Sequence, residues 1–485
     1  MLLFAFELLS VSRVIIVYLA LLVSSLVPLG YNNIITYAQE EIEDVNTSIG
    51  GGEQPSIKDS NLKVELVSSE GLELPTSMAF LGQDDILVLE KDKGTVQRII
   101  DGKMLAEPLL DVNVANKSER GMLGIAVSKH ENGPTYVFLY YTESQLEGSD
   151  ICPVKGEPCI GDVPLGNRLY RYELVNNKLV NPKLLLDLPT TPGPSHNGGV
   201  VKIGPDNNVY LVVGDLNYIK NQSAYTIAQN AVGGRFPDGR GGILRVTQNG
   251  EVVEGEGILG NEDPLNKYYA YGIRNSFGIA FDPVTEKLWD TENGGSADEI
   301  NLVEPGFNSG WKQLMGMASL QEEFDPDKDL VDFGGRGKYS DPEFQWTSRG
   351  SGDDGEPMRI NPAPTAIAFL NSDKLGEQYE NDMFVGSVKE GRIFNFDLND
   401  NRTELVLGNP LDDKVADTAD ELEDITFADG LGLVTDLEVG PDGYLYVVSI
   451  GHGAIYRILP AVDVVATATD VEEDIEKEEE EEDSD

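Results

Sequence analysis

The chain has 485 residues, with 84 aspartates and glutamates against 36 lysines and arginines, and a formal net charge of −48 at pH 7. No basic stripe is visible, which argues against nucleic acid as a partner; the acidity reads as a solubility or salt-tolerance property. The length fits one large domain or two or three average ones. The 52 glycines sit among turn residues along the whole length, and long helical periodicity is missing. Together these features point to an all-β protein of many short strands.

At the N-terminus a lone Arg13 precedes the apolar run Val14 to Leu29, and Thr36-Tyr37-Ala38 before Gln39 offers a cleavage site. Residues 1–38 read as a signal peptide or, because the run borders on spanning length, as an uncleaved membrane anchor. Either places the rest of the chain outside the cell or at its surface. Residues 39–60 have the composition of a disordered linker. Cys152 and Cys159 bracket the loop CPVKGEPC. In an exported chain a local disulfide is expected there, and without a nearby histidine a zinc site is not. Asn46, Asn116, Asn221 and Asn401 open N-x-[ST] sequons. The tail, residues 461–485, carries 13 acids against the single Lys477 and is expected to be disordered and solvated.

Between residues 61 and 460 one pattern returns: a small or polar pair, an apolar strand, a turn, a second apolar strand. It opens at Pro75, Gly121, His196, Asn275, Pro364 and Val434. Six self-similar units predict a six-bladed β-propeller of four-stranded antiparallel blades. A pair of β-sandwiches is the alternative, which accounts for the strands but not for the shared opening. In a propeller the residues that open each unit converge around one mouth of the central channel. His196, Glu119, Arg274, Asn275 and Thr365 then become neighbours.

The stretch PSHNGGVVKIGPDNNVYLVVGD carries the strongest chemical signal. It reads as strand, turn, strand, so His196 before the first strand and Asp215 after the second fall at the same end. A histidine oriented by a carboxylate is suited to taking a proton near neutral pH; the bland reading is a surface histidine and a turn aspartate. Arg274-Asn275 opens the fourth unit. It would bind a carboxylate or polarised oxygen, or else tie blades together through carbonyls. In TENGGSADEINLVEPGFNSGW, Glu292, Asp298 and Glu299 offer hard oxygen ligands suited to calcium, against the plainer reading of a solvated acidic loop. DPDKDLVD fails the test for a calcium-binding EF-hand loop and reads as an acidic insertion. Lys389 lies on a turn between two strands, facing solvent or reaching for an anionic ligand. His130 and His452 read as turn residues at the surface. Nucleotide fingerprints, G-x-S-x-G and H-E-x-x-H are all missing.

ERGMLGIA, SHNGGVVKIGPDNNVYLVVGD, GIRNSFGIAFDP and DEINLVEPGFNSGW resemble, in the same order along the chain, the signatures of the soluble quinoprotein glucose/sorbosone dehydrogenases. The resemblance covers nearly all of residues 61–460. It implies a six-bladed propeller that binds pyrroloquinoline quinone (PQQ) and calcium and oxidises the anomeric carbon of aldoses to lactones. It further implies His196 as the base, Asp215 as its support and Arg274 as stabiliser of charge on the quinone oxygen. Glu119, Asn275, Asn293 and Lys389 fall on cofactor-contacting positions. Carbonyls of Gly294 and Gly295 fall on the calcium that bridges to the cofactor, and Glu299 and Ser309 on a second calcium site. An external electron acceptor completes the cycle.

The chain departs from the family's pattern in four places. Leu433-Val434-Thr435-Asp436 lacks two arginines, Glu119 replaces a glutamine, Asn293-Gly294-Gly295 replaces Gln-Gly-Pro, and Ser309 replaces a tyrosine. These departures leave two rival expectations: a non-catalytic propeller that binds glycans or proteins, and a calcium-dependent lactone or ester hydrolase.

Overall fold

A computed structural model describes residues 54–130, 133–145, 164–216, 225–255, 257–347, 360–389 and 391–461. The expected N-terminal signal or anchor, most of the linker, the cysteine loop, the sequons at Asn46 and Asn221, and the acidic tail beyond Ala461 lie outside the described residues. Among the described residues no helix is long and apolar enough to cross a membrane.

Each of the six repeat openings starts a strand: Pro75–Gly82, Met122–Ser128, Val201–Ile203, Ser276–Phe281, Pro364–Phe369 and Val434–Val439. Each of these strands heads its own sheet, and the described strands form six sheets. Every heading strand packs on the heading strand of the next sheet, and Val434–Val439 packs back on Pro75–Gly82. The ring closes on itself in a β-propeller arrangement.

The second strand of each sheet is flanked on both sides by neighbouring sheets. It therefore reads as a continuous apolar run and not as an alternation. Val209–Val213, Met383–Ser387 and Leu445–Ser449 are buried at every position. Each of three sheets turns into its third strand on a glycine in the left-handed region, with φ +69° at Gly94, +65° at Gly391 and +58° at Gly453. That conformation favours a residue without a Cβ.

The expectation of uniform four-stranded antiparallel units needs correction. Two sheets have four strands, three have five and one has six. The additions lie at outer edges, where unpaired N–H and C=O groups accept passing chain. Phe307–Asn308 and Lys338–Tyr339 join the third sheet in parallel pairing, and Val415–Ala416 joins the fourth in the same way. Ser56–Ile57, inside the expected linker, pairs with Ala428–Asp429 of the fifth sheet, so ordered chain begins earlier than the composition suggests. The last sheet takes its outer strand, Leu62–Ser68, from the N-terminal side, antiparallel to Ala454–Pro460. The sequon at Asn116 is buried and its amide donates to the carbonyl of Asp92, so the side chain is not offered for glycosylation. Asn401 is exposed. DPDKDLVD forms a short exposed helix, Pro326–Asp329.

Asp382 precedes the second strand of the fifth sheet and accepts from Asn395 Nδ2 at 3.0 Å. Burial pushes its carboxyl up to about 6, and the Asp397 charge adds to this against the opposing Arg402. The folded state thus holds a proton there that the unfolded chain, with an ordinary carboxylate, has released. The contribution of this group to stability is full below about pH 4 and is lost as pH rises through about 6. Urea unfolding of Asp382→Asn at pH 4, 5 and 7 is expected to show a flatter decline over this window than the parent. An identical pH slope in the two proteins would refute the assignment.

Candidate active site

His196 lies just before Val201–Ile203 and Asp215 just after Val209–Val213, and the hairpin parity brings them together. His196 Nδ1 and Asp215 Oδ1 are 2.6 Å apart. Asp215 is fully buried and its second oxygen accepts from Trp311 Nε1 at 2.8 Å. A carboxylate only accepts, so the imidazole carries a proton on Nδ1, and in the neutral ring that tautomer makes Nε2 the acceptor. The backbone N–H of Asp215 donates to the Arg274 carbonyl at 2.8 Å, which locks the third unit's second strand to the fourth unit's opening.

Glu119 Oε2 accepts from the backbone N–H of His196 at 2.7 Å and from Asn275 Nδ2 at 3.1 Å. Its charge is engaged by donors from two different units. The side-chain amide oxygen of Asn275, Oδ1, is buried without a partner, whereas its backbone carbonyl accepts from the Asn293 N–H at 2.7 Å. Arg274 donates from its backbone to Glu292 Oε1 at 2.6 Å and from its guanidinium to the Asn293 carbonyl at 2.8 Å. The guanidinium carbon also stands 5.5 Å from the Trp311 ring centre, in cation–π reach. Trp311 therefore braces both the acid behind His196 and the arginine beside it. The Asn293 side chain donates to the Pro364 carbonyl at 2.8 Å and bridges to the fifth sheet.

Lys389 is exposed on its turn, and Nζ donates to Asn361 Oδ1 at 3.1 Å. Asn361 Nδ2 in turn donates to the Gly294 carbonyl at 3.2 Å. The two oxygens of Asp298 accept from the backbone N–H groups of Gly294 and Ala363, each at 2.8 Å. Burial pushes Asp298 up to about 6 against those hydrogen bonds and against the charges of Lys389 and Arg274. Both cations therefore lie within electrostatic reach of Asp298. Gly295 is exposed beside Gly294.

A buried acidic seam runs behind Arg274. Ser309 Oγ donates to Glu292 Oε2 at 2.6 Å and stands 3.3 Å from Glu299 Oε2, while the Gly316 N–H donates to Glu299 Oε1 at 2.6 Å. Asp290 faces the same seam two residues before Glu292, beside Asn301 and Ser276, and neither of its oxygens is in a well-formed hydrogen bond. Burial pushes Asp290 up to about 8, Glu299 to about 7, and Glu292 well above the ordinary carboxylate range. Poorly satisfied, crowded carboxylate oxygens are the donor chemistry of a hard divalent cation. Among the described residues, however, no group of three or more His, Cys, Asp or Glu side chains is arranged to hold a metal by itself.

The structure thus joins His196, Asp215, Glu119, Arg274, Asn275 and Asn293 in one hydrogen-bonded network. Gly294 and Lys389 attach through Asn361, and Glu299 and Ser309 through Glu292. Thr365 is apart from it: its hydroxyl donates to the Val434 carbonyl and ties the fifth sheet to the sixth. His130 and His452 are exposed. Sequence reasoning missed Trp311 as a brace and Asn361 altogether. The tryptophan was visible in NSGW, but only its contacts disclose the role. Asn361 belongs to no recurring pattern. At the other ends of the heading strands lies a cavity of about 620 Å³ lined by Phe80, Lys202, Phe281, Phe369 and Glu438, where Lys202 and Glu438 pair between the third and sixth sheets.

A ring of sheets with a buried His–Asp pair, an arginine and a lysine gathered at the openings of its units is a β-propeller that carries a candidate active site at one mouth. Residues 72–457 match the Glucose / Sorbosone dehydrogenase family model, and the chain belongs to that family. It is 23% identical over 405 residues to aldose sugar dehydrogenase YliI of Escherichia coli, covering 83% of this chain and 94% of the relative. It is 24% identical over 271 residues to quinoprotein glucose dehydrogenase B of Acinetobacter calcoaceticus, covering 53% and 54%. In fold it is similar to the PQQ-bound aldose sugar dehydrogenase of Streptomyces coelicolor, with a TM-score of 0.56, 21% identity, and coverage of 84% of this chain and 99% of that one.

Proposed function

We propose that this chain is an exported PQQ-dependent dehydrogenase that oxidises the anomeric carbon of aldose sugars to lactones, on a propeller of six blades, one per sheet. The observation that carries the reading is the 2.6 Å contact of His196 Nδ1 with Asp215 Oδ1, which leaves Nε2 free to accept a proton. A hydroxyl-bearing carbon releases hydride only as its O–H proton departs, and a fixed neutral imidazole takes that proton. Asp215 holds the ring in the productive tautomer and balances the imidazolium that forms. Bound PQQ would supply the two-electron hydride acceptor.

The residues present suit that anionic cofactor. Arg274 and Lys389 are cations in an otherwise acidic protein, Arg274 is poised for charge on an oxygen, and the unpartnered amide oxygen of Asn275 can accept from an N–H or O–H of the ligand. Calcium would be held by the carbonyls of Gly294 and Gly295, and a second ion by Glu299 and Ser309 in the seam where Asp290 lacks well-formed hydrogen bonds. The cycle would need an external acceptor for the two electrons taken from the sugar.

The test is a titration of the calcium-loaded protein with PQQ, followed by absorbance before and after a panel of aldoses. Stoichiometric binding with bleaching by one sugar is the expected result. No binding would overturn the reading and favour a non-catalytic propeller that binds glycans or proteins at the cell surface. Ester hydrolysis dependent on calcium alone would favour a hydrolase.

A further inference from the structure

We propose that Arg120 is a positioning residue that fixes His196 in its catalytic place without touching the imidazole. The inference rests on His196 acting as the base. The segment from Thr190 to His196 forms no helix or strand, so its carbonyls find no partners in a ladder. It also ends on His196 at φ +61°, a left-handed conformation that a residue with a Cβ adopts reluctantly. Something outside the segment must hold it.

Three consecutive residues at the mouth of the second sheet do so. Ser118 Oγ and Ser195 Oγ are 2.9 Å apart. Glu119 Oε2 accepts from the His196 N–H at 2.7 Å. Arg120, itself buried, donates from one guanidinium nitrogen to the Thr190 carbonyl at 2.8 Å and to the Gly193 carbonyl at 2.9 Å. The opposite side of the segment is pressed on the chain that follows Asp215. A Cβ at Gly193 would stand 2.6 Å from the Leu216 carbonyl oxygen, and the Leu216 N–H donates to the His196 carbonyl at 3.3 Å. The segment is thus clamped between Arg120 and the residues carrying the acid. Its position sets the angle at which the imidazole meets Asp215. Small displacements of a base cost rate steeply, because proton transfer depends on alignment.

The decisive measurement uses the full chain without cofactor or sugar. A proton held between His196 Nδ1 and Asp215 gives a low-field NMR signal, identified by its loss in His196→Gln. In Arg120→Met the signal is expected to broaden or vanish, and in Arg120→Lys to persist in part. With PQQ and calcium added, kcat of the methionine variant is expected to fall by about 10- to 100-fold with KM nearly unchanged. An unaltered low-field proton in folded Arg120→Met would overturn the proposal. Should that variant fail to fold, Arg120→Lys and Ser118→Ala decide by the same signal, and no change in either would overturn it. The signal is read without turnover, so a protein that keeps it yet oxidises no sugar would count against the dehydrogenase reading and leave the positioning role standing.

Discussion

Replacing His196 with glutamine is expected to lower aldose turnover by about 10²- to 10⁴-fold, the usual worth of a positioned general base. Glutamine can still donate a hydrogen bond toward Asp215 Oδ1, but it has no basic nitrogen to present where Nε2 stood. The other supports of the site do not pass through the imidazole. Glu119 holds the backbone of residue 196, Trp311 holds the second oxygen of Asp215, and Arg274 holds the Asn293 carbonyl. PQQ affinity and the circular-dichroism spectrum should therefore survive the change while the rate collapses. Parent-like turnover in this variant would show that another group takes the proton, and the mechanism would have to be abandoned.

The second large effect is on stability. Trp346 is fully buried in the fourth sheet, with its ring 5.0 Å from that of Phe344, 5.4 Å from Phe394 and 6.2 Å from Phe396. Phe394 and Phe396 belong to the fifth sheet, so one indole fills the space between two sheets. Trp346→Ala removes this volume from a rigid wall of strands that cannot collapse into the gap. A loss of about 3–5 kcal/mol is expected. It should appear as a lower urea midpoint at an unchanged slope. A loss below about 1 kcal/mol would mean that this aromatic cluster is not what holds the two sheets together.

The site's central pair was legible in the sequence because a strand, a tight turn and a strand return the chain to its starting end, which puts His196 and Asp215 at the same end and lets them meet. The repeated opening at Pro75, Gly121, His196, Asn275, Pro364 and Val434 gave the heading strands for the same local reason. What stayed hidden depends on contacts between distant segments. The supports that fix the contact of His196 with Asp215 come from distant residues and were not legible. The strands Phe307–Asn308, Lys338–Tyr339 and Val415–Ala416 are two residues long, and nothing in their composition announces pairing. Ser56–Ile57 lies in a stretch whose polarity reads as linker, yet it finds an open sheet edge. Glu119 reads from sequence as an unwelcome negative charge. Its carboxylate is instead engaged by a backbone N–H and an amide from two other units. Asn116 fits a glycosylation pattern, but burial removes it from reach.

The sheet that joins the two ends of the ring bears on how the molecule closes. Leu62–Ser68 precedes all six heading strands in the chain, yet among the described strands its ladder partner is Ala454–Pro460, and the Ala461 N–H donates to the Asn61 carbonyl at 2.7 Å. Until Val434–Val439 is in place, the flanks of Pro75–Gly82 and Pro364–Phe369 that it covers stay open. The chain is then an open arc with apolar walls at both ends, and closing it spans nearly the whole contour of the domain. The ring is accordingly clasped by strands drawn from its two ends, and a chain shortened before Ala454 would leave the arc unclasped however well its earlier sheets had formed.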